Sequence, residues 1–227
     1  KRQPDGWAKI LALAEGQPGV HAAPGVHPFS ANRYRSKNAE ELRRLLAHPR
    51  AVAVGEVGLD RQADVSRLMQ EDVFVAMIRL AREADKPLLI HARESIDRVL
   101  EILQREGAAQ VGGIFHAFSG SVETARRIVD AGFLLGIGGV VTWSGARRVP
   151  EVVRALPAAA LVLETDAPYM TPEPHRRETN RPAYLALVAS KVAELRSWSL
   201  EETLRVTTEN ARRVLKLDRE KGSEGGR

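Results

Sequence analysis

An α/β fold, a parallel sheet covered by helices and closing in the manner of a (β/α)8 barrel, is expected here from three observations. Short apolar runs of strand length recur along the chain; each leads through a polar or glycine-rich turn into a helix-like stretch; and acidic or histidine side chains stand at the ends of the runs. The runs are HAAPGVHP (His21 to Pro28), AVAVGEVGLD (Ala51 to Asp60), PLLIHAR (Pro87 to Arg93), VGGIFHAFSG (Val111 to Gly120), GFLLGIGG (Gly132 to Gly139) and ALVLETDAP (Ala160 to Pro168). In such a barrel the active site gathers at the C-terminal ends of the strands, and Glu56, Asp60, His91, His116 and Asp166 all fall there.

The helices follow in order. Residues 5–16 place Trp7, Ile10, Leu11 and Ala14 on one face, with Gly16 as a stop, and Ala39 to Ala47 is a second amphipathic stretch. Gln70 to Ala84 turns Val73, Met77, Leu80 and Ala84 inward. Glu94 to Glu106, Ser121 to Ala131 (capped by Ser121) and Arg148 to Leu156 follow the third, fourth and fifth runs. After Asp166 comes a loop rich in Pro, Arg and Glu, then helices over Pro182 to Glu194 and Ser199 to Leu215, the latter capped by Ser199 with Glu202 three residues on. We expect one domain over 1–217 and a charged, disordered tail over 218–227. A complete barrel of this type has eight strands in ~250 residues. Six runs and an opening helix therefore predict that the first two strands and first helix lie upstream of Lys1, leaving two open sheet edges in this chain.

Composition narrows the function classes. Among 227 residues, 44% are hydrophobic and 5% aromatic, enough for one large α/β core. The net charge of +5 comes with 27 Arg against 7 Lys, and guanidinium groups suit polyanions, although many arginines lie on solvated helix faces. The absence of cysteine excludes disulfides, thiolate zinc sites and a cysteine nucleophile. No apolar stretch approaches the ~20 residues of a membrane span.

Two neutral imidazoles with a carboxylate form a donor set for a divalent ion such as Zn²⁺, Mn²⁺ or Mg²⁺. A lone histidine after an apolar run is ordinarily a hydrogen-bonded core group. His91 and His116 gain weight because acids keep step with them at the same strand ends.

In order and spacing, GEVGLD, HAR, HAF and ETDAP resemble the motifs of the TatD family of metal-dependent deoxyribonucleases, within the amidohydrolase-like barrels. The resemblance runs from GVHP at Gly25 to TTENARRVL (Thr207 to Leu215) and includes NRPAYL (Asn180 to Leu185), which is similar to the family's signature loop. It implies that Glu56 bridges two divalent ions, that His91 and His116 ligate one of them, and that Asp166 ligates the other and orients or deprotonates the attacking water. The family's HxH motif is missing, and His21 and His27 are spaced too widely to replace it, so one tight and one weak metal site are expected. The implied activity is hydrolysis of DNA phosphodiesters from the 3′ end of single strands, in the cytoplasm. The alternatives are a barrel of the same kind acting on a small ester, amide or lactone, and an inactive remnant that binds nucleic acid.

Supporting roles are assigned more broadly. Asp60 orients a ligand or binds backbone; Glu164, two residues before Asp166, supports the site; His27 contacts phosphate or a ligand, or packs. Arg93 holds a phosphate oxygen or a surface ion pair, and His48 is a helix-end residue without chemistry. His175, with Arg176, Arg177 and Arg181 and beside Asn180, favours DNA-backbone contact over plain solvation. After GEVGLD the family's aromatics are replaced by RQADVSRLM, which predicts a weaker base-stacking platform at that point.

Overall fold

The computed structural model describes residues 6–217; the expected tail over 218–227 lies outside them. Among the described residues five strands alternate with helices, and they cluster into two compact units, 6–114 with 215–217, and Phe115–Val214.

In the first unit, α1 (Trp7–Gly16) and α2 (Lys37–Leu46) precede β1 (Val54–Asp60), α3 (Arg67–Glu83), β2 (Leu88–Arg93) and α4 (Ile96–Arg105). Strands β1 and β2 pair in parallel, with Gly58 opposite His91 and Asp60 opposite Arg93. Six of the seven β1 residues are buried, as in a parallel strand covered on both faces. Against it α3 packs Val73, Phe74, Met77, Ile78 and Ala81, all buried, each large side chain contributing about 1.5–3 kcal/mol of transfer free energy. Helix α3 opens on Ser66, whose hydroxyl accepts from the Met69 N–H, one turn earlier than the apolar period predicts. Gly58 sits at φ +141°, where a Cβ would lie 2.0 Å from the His91 carbonyl oxygen, so only glycine allows β1 and β2 this approach.

One expected strand is absent. His21 to Pro28 forms only a single parallel bridge, Ala22 to Ala51, and then a 3-10 turn over Pro28–Arg33. Pro24 and Pro28 have no N–H to give a ladder, so the segment lies extended beside the Ala51–Gly55 backbone without joining it as a strand.

The chain passes through β3 (Gly113–Phe115) into the second unit: α5 (Val122–Asp130), β4 (Phe133–Ile137), α6 (Arg148–Ala155), β5 (Leu161–Leu163), α7 (Leu185–Arg196) and α8 (Leu200–Val214). Strands β4 and β5 pair in parallel, Leu135 to Leu161 and Ile137 to Leu163. The two expected caps are in place, Ser121 Oγ accepting from the Thr124 N–H and Ser199 Oγ from the Glu202 N–H. Expected helix Pro182 to Glu194 begins as a 3-10 turn over Pro182–Tyr184 before α7 proper. Among the described residues no helix is long and apolar enough to cross a membrane.

Candidate metal centre

In the first unit the chemistry gathers where β1 and β2 end. His91 Nε2 lies 2.7 Å from Asp60 Oδ2. Asp60 is buried, its other oxygen accepts the Gln62 N–H at 2.8 Å, and its own N–H is held by Gln70 Oε1 at 2.9 Å. A carboxylate can only accept, so the His91 proton sits on Nε2 and the Nδ1 lone pair is left to a ligand. That Nδ1 faces Glu56 Oε2 at 3.6 Å. Two donors on one tetrahedral ion at bond lengths near 2.1 Å stand about 3.4 Å apart. The separation of Nδ1 and Oε2 therefore fits a shared cation, while being too long for a good hydrogen bond.

His27 completes a group of three potential ligands whose donor atoms lie within 4.8 Å of one another, His27, Glu56 and His91. Spacing excludes His27 as the partner of His21 in an HxH pair, and the expected contact of His27 with phosphate or a ligand did not name Glu56 and His91 as its neighbours. His27 is the cap of the 3-10 turn, not a strand end: its Nδ1 accepts from the Phe29 N–H at 3.3 Å, and its Nε2 lies 3.5 Å from Glu56 Oε2. Its proton then sits on Nε2, directed at the Glu56 carboxylate. In this tautomer His27 is a donor to that carboxylate or to an incoming anionic oxygen. Phe29, 49% exposed, stacks on the His27 ring with centroids 5.3 Å apart.

The second unit repeats the pairing with the nitrogens exchanged. His116 follows β3, and its Nδ1 lies 3.0 Å from Glu164 Oε1, which also accepts the Ala117 N–H at 2.6 Å. Nε2 of His116 faces Asp166 Oδ1 at 3.5 Å, again a separation that suits a common cation. Glu164 thus lies at Nδ1 of His116 and Asp166 at Nε2; the alternation put both acids on one side of the chain, Glu164 as a support, and the resemblance made Asp166 a ligand. Gly136 makes room for this, since a Cβ there would lie 2.2 Å from Glu164 Oε2.

The remaining sequence-predicted residues divide. Arg93 ends β2 exposed and makes no ion pair among the described residues, so the surface salt bridge is not formed. His48 pairs with Glu15 at 2.9 Å and accepts the Arg50 N–H, a structural role. Asn180 is buried and staples its loop: its amide donates to the Tyr169 carbonyl at 2.6 Å, its side-chain oxygen accepts the Arg181 N–H, and its own N–H donates to the Pro168 carbonyl. Arg181 is exposed, and His175 belongs to a separate cluster on the loop after Asp166.

Two braces are absent from the sequence-level list. Gln70, besides holding Asp60, donates to the Val65 carbonyl, and Ser95 donates to the Leu59 carbonyl at 2.8 Å. Gln70 carried a signal: it shares the inward face of α3 with Val73, Phe74 and Met77, and an amide buried among apolar side chains needs a polar partner. Ser95 carried none, because a serine after a strand reads equally well as a helix cap.

Donor sets of imidazole and carboxylate, each imidazole fixed on its far nitrogen by a second acid, fit a divalent ion of the Zn²⁺, Mn²⁺ or Mg²⁺ kind. Set at strand ends of a βα-repeat fold, they suit a metal-dependent hydrolase. Residues 1–216 match the family model described as TatD related DNase, and the chain belongs to the TatD family. It is 39% identical over 211 residues to the uncharacterized metal-dependent hydrolase YabD of Bacillus subtilis, covering 92% of this chain and 83% of that protein. To the uncharacterized metal-dependent hydrolase TatD of Mycobacterium tuberculosis it is 41% identical over 214 residues, covering 92% and 81%. The crystal structure of YjjV, a TatD homologue from Escherichia coli K12, matches with a TM-score of 0.87 at 33% identity, over 93% of this chain and 82% of that one. The expected α/β fold of the (β/α)8 kind is thereby established, with five strands among the described residues where six were expected.

Proposed function

We propose that this metal-dependent hydrolase is a deoxyribonuclease that cleaves phosphodiester bonds of single-stranded DNA from the 3′ end, in the cytoplasm. The observation that supports it most is the doubled arrangement of an imidazole held by one acid and facing another, Asp60–His91–Glu56 and Glu164–His116–Asp166. The resemblance puts His91 and His116 on one divalent ion and Asp166 on the other; we depart from it, because the distances pair His91 with Glu56 and His116 with Asp166, and each pair would hold one ion. A bound ion supplies a water of lowered pKa and neutralises charge on the phosphate.

The chain's own residues do the rest. Asp60 and Glu164 hold the imidazoles in the ligating tautomer. Asp166 would take the proton of the attacking water. The Nε2–H of His27, beside Glu56, can donate to a phosphate oxygen, and the exposed Arg93 at the end of β2 offers a cation. The basic composition favours a polyanionic substrate over a small neutral one.

The test is digestion of an end-labelled single-stranded oligonucleotide with Mn²⁺ or Mg²⁺, beside Glu56→Ala and beside EDTA. Stepwise shortening from the 3′ end by the parent alone supports the proposal. Metal-dependent turnover of a lactone or ester panel, with the oligonucleotide left intact, would replace it.

A further inference from the structure

The loop after Asp166 carries two stacks that the hydrolytic chemistry leaves unused. The Arg176 guanidinium lies over the Trp143 ring, 3.9 Å from its centroid, and the His175 ring lies on Tyr184 with centroids 4.5 Å apart and planes 4° from parallel. Both stacks are fixed from behind. Trp143 Nε1 donates to the Thr171 carbonyl at 3.0 Å, the Glu173 N–H donates to Thr142 Oγ1 at 2.9 Å, and Ser144 donates to Glu173 through its N–H and its hydroxyl. Glu178 receives His175 Nδ1 at 2.8 Å and the Tyr184 hydroxyl at 2.6 Å. The acids nearest the stacks are thus engaged within the loop, whereas Arg147, Arg148, Arg176 and Arg177 are exposed and make no ion pair among the described residues. His175 keeps 36% of its side chain exposed with one ring face covered by Tyr184, and Arg176, stacked on Trp143, is exposed.

We propose that this surface binds single-stranded DNA, two unpaired bases extending the Trp143–Arg176 and Tyr184–His175 stacks while neighbouring arginines take the phosphates; this rests on the nuclease reading above. A guanidinium backed by an aromatic ring offers a base a flat, charged face and still points its N–H groups outward to phosphate. Duplex DNA has no unstacked base to offer, so the geometry selects single strands. The platform stands on the same loop as the Asp166 turn, to which Asn180 and Tyr169 tie it.

The test is fluorescence anisotropy of a labelled oligothymidylate with the full chain in EDTA, where nothing is cleaved. The parent should bind, and Arg176→Lys and His175→Ala should each weaken binding about tenfold, the size of one base–aromatic contact. An abasic strand of equal length should bind no better to the parent than to the variants. The lysine keeps the charge, so its loss reports the stack and not the field; unchanged melting temperatures exclude misfolding. Parent-like binding by both variants, or equal affinity for the abasic strand, would overturn the platform. If the parent still cleaves with Mn²⁺, the nuclease reading survives that result. A parent that does not bind overturns the platform too, and only the absence of cleavage removes the nuclease reading with it.

Discussion

His91 in the first unit and His116 in the second face the same task with opposite atoms. His91 gives Nε2 to Asp60 and presents Nδ1 to Glu56, whereas His116 gives Nδ1 to Glu164 and presents Nε2 to Asp166. The orienting acids differ in depth as well: the Asp60 side chain is 1% exposed and Glu164 17%. A short aspartate at the end of β1 is locked by the following turn and by Gln70, while the longer glutamate past β5 is held mainly by the Ala117 N–H. The requirement conserved between the two units is an acid on the far nitrogen of each imidazole. Which nitrogen, and how rigidly, follows from the strand that happens to supply the acid.

The largest effect is expected at Gly58. Gly58→Ala drives a methyl into the His91 carbonyl at a backbone conformation that alanine resists. A loss of about 3 kcal/mol or more, with loss of metal binding, should appear in thermal melts and calorimetric titration. A stable Gly58→Ala that still binds Mn²⁺ would mean that the β1–β2 approach does not set the site.

Next, the comparison itself can be broken. Asp60→Asn should weaken metal affinity about 100-fold and Glu164→Gln about tenfold, because water can substitute at the shallower acid and not at the buried one. Equal losses in calorimetric titration would show that depth is irrelevant. Gly136→Ala is a gentler version of the second change: it displaces the Glu164 carboxylate without altering its chemistry, and should lower affinity several-fold with little change in melting temperature.

The smallest effect concerns the loop clamp. Hydrogen bonds from Tyr184 and His175 hold the Glu178 carboxyl below its ordinary value. Its folded pKa is the lower one, so its contribution is present above the unfolded carboxylate pKa and is lost as pH falls through the folded value. Protection factors of the amides across 171–184, taken against the intrinsic exchange rate at each pH, should therefore fall on acidification in the parent and be low and pH-flat in Glu178→Gln.

Much of this was legible in the sequence, for reasons that also mark where legibility ends. His91, His116 and Asp166 drew notice because each stands where an apolar run ends, and Glu56 because an acid interrupts one; the ligand roles came from the resemblance. Glu164 followed from the two-residue alternation. Asp60 was left between two readings because a buried acid at a strand end serves backbone and imidazole equally well, and here it does both. His21 to Pro28 read as a strand because apolar content outweighed Pro24 and Pro28 in that expectation, and the missing N–H groups decided otherwise. The Trp143–Arg176 stack joins residues 33 apart across irregular backbone, where no period connects them.

The central claim, that the two imidazoles are held in opposite tautomers by their acids, is tested most directly by long-range ¹H–¹⁵N correlation of the histidine rings in mildly alkaline solution. The account predicts the proton on Nε2 of His91 and on Nδ1 of His116, with Asp60→Asn and Glu164→Gln each perturbing only its own ring. The same tautomer at both positions, or exchange between tautomers that neither variant alters, would contradict it.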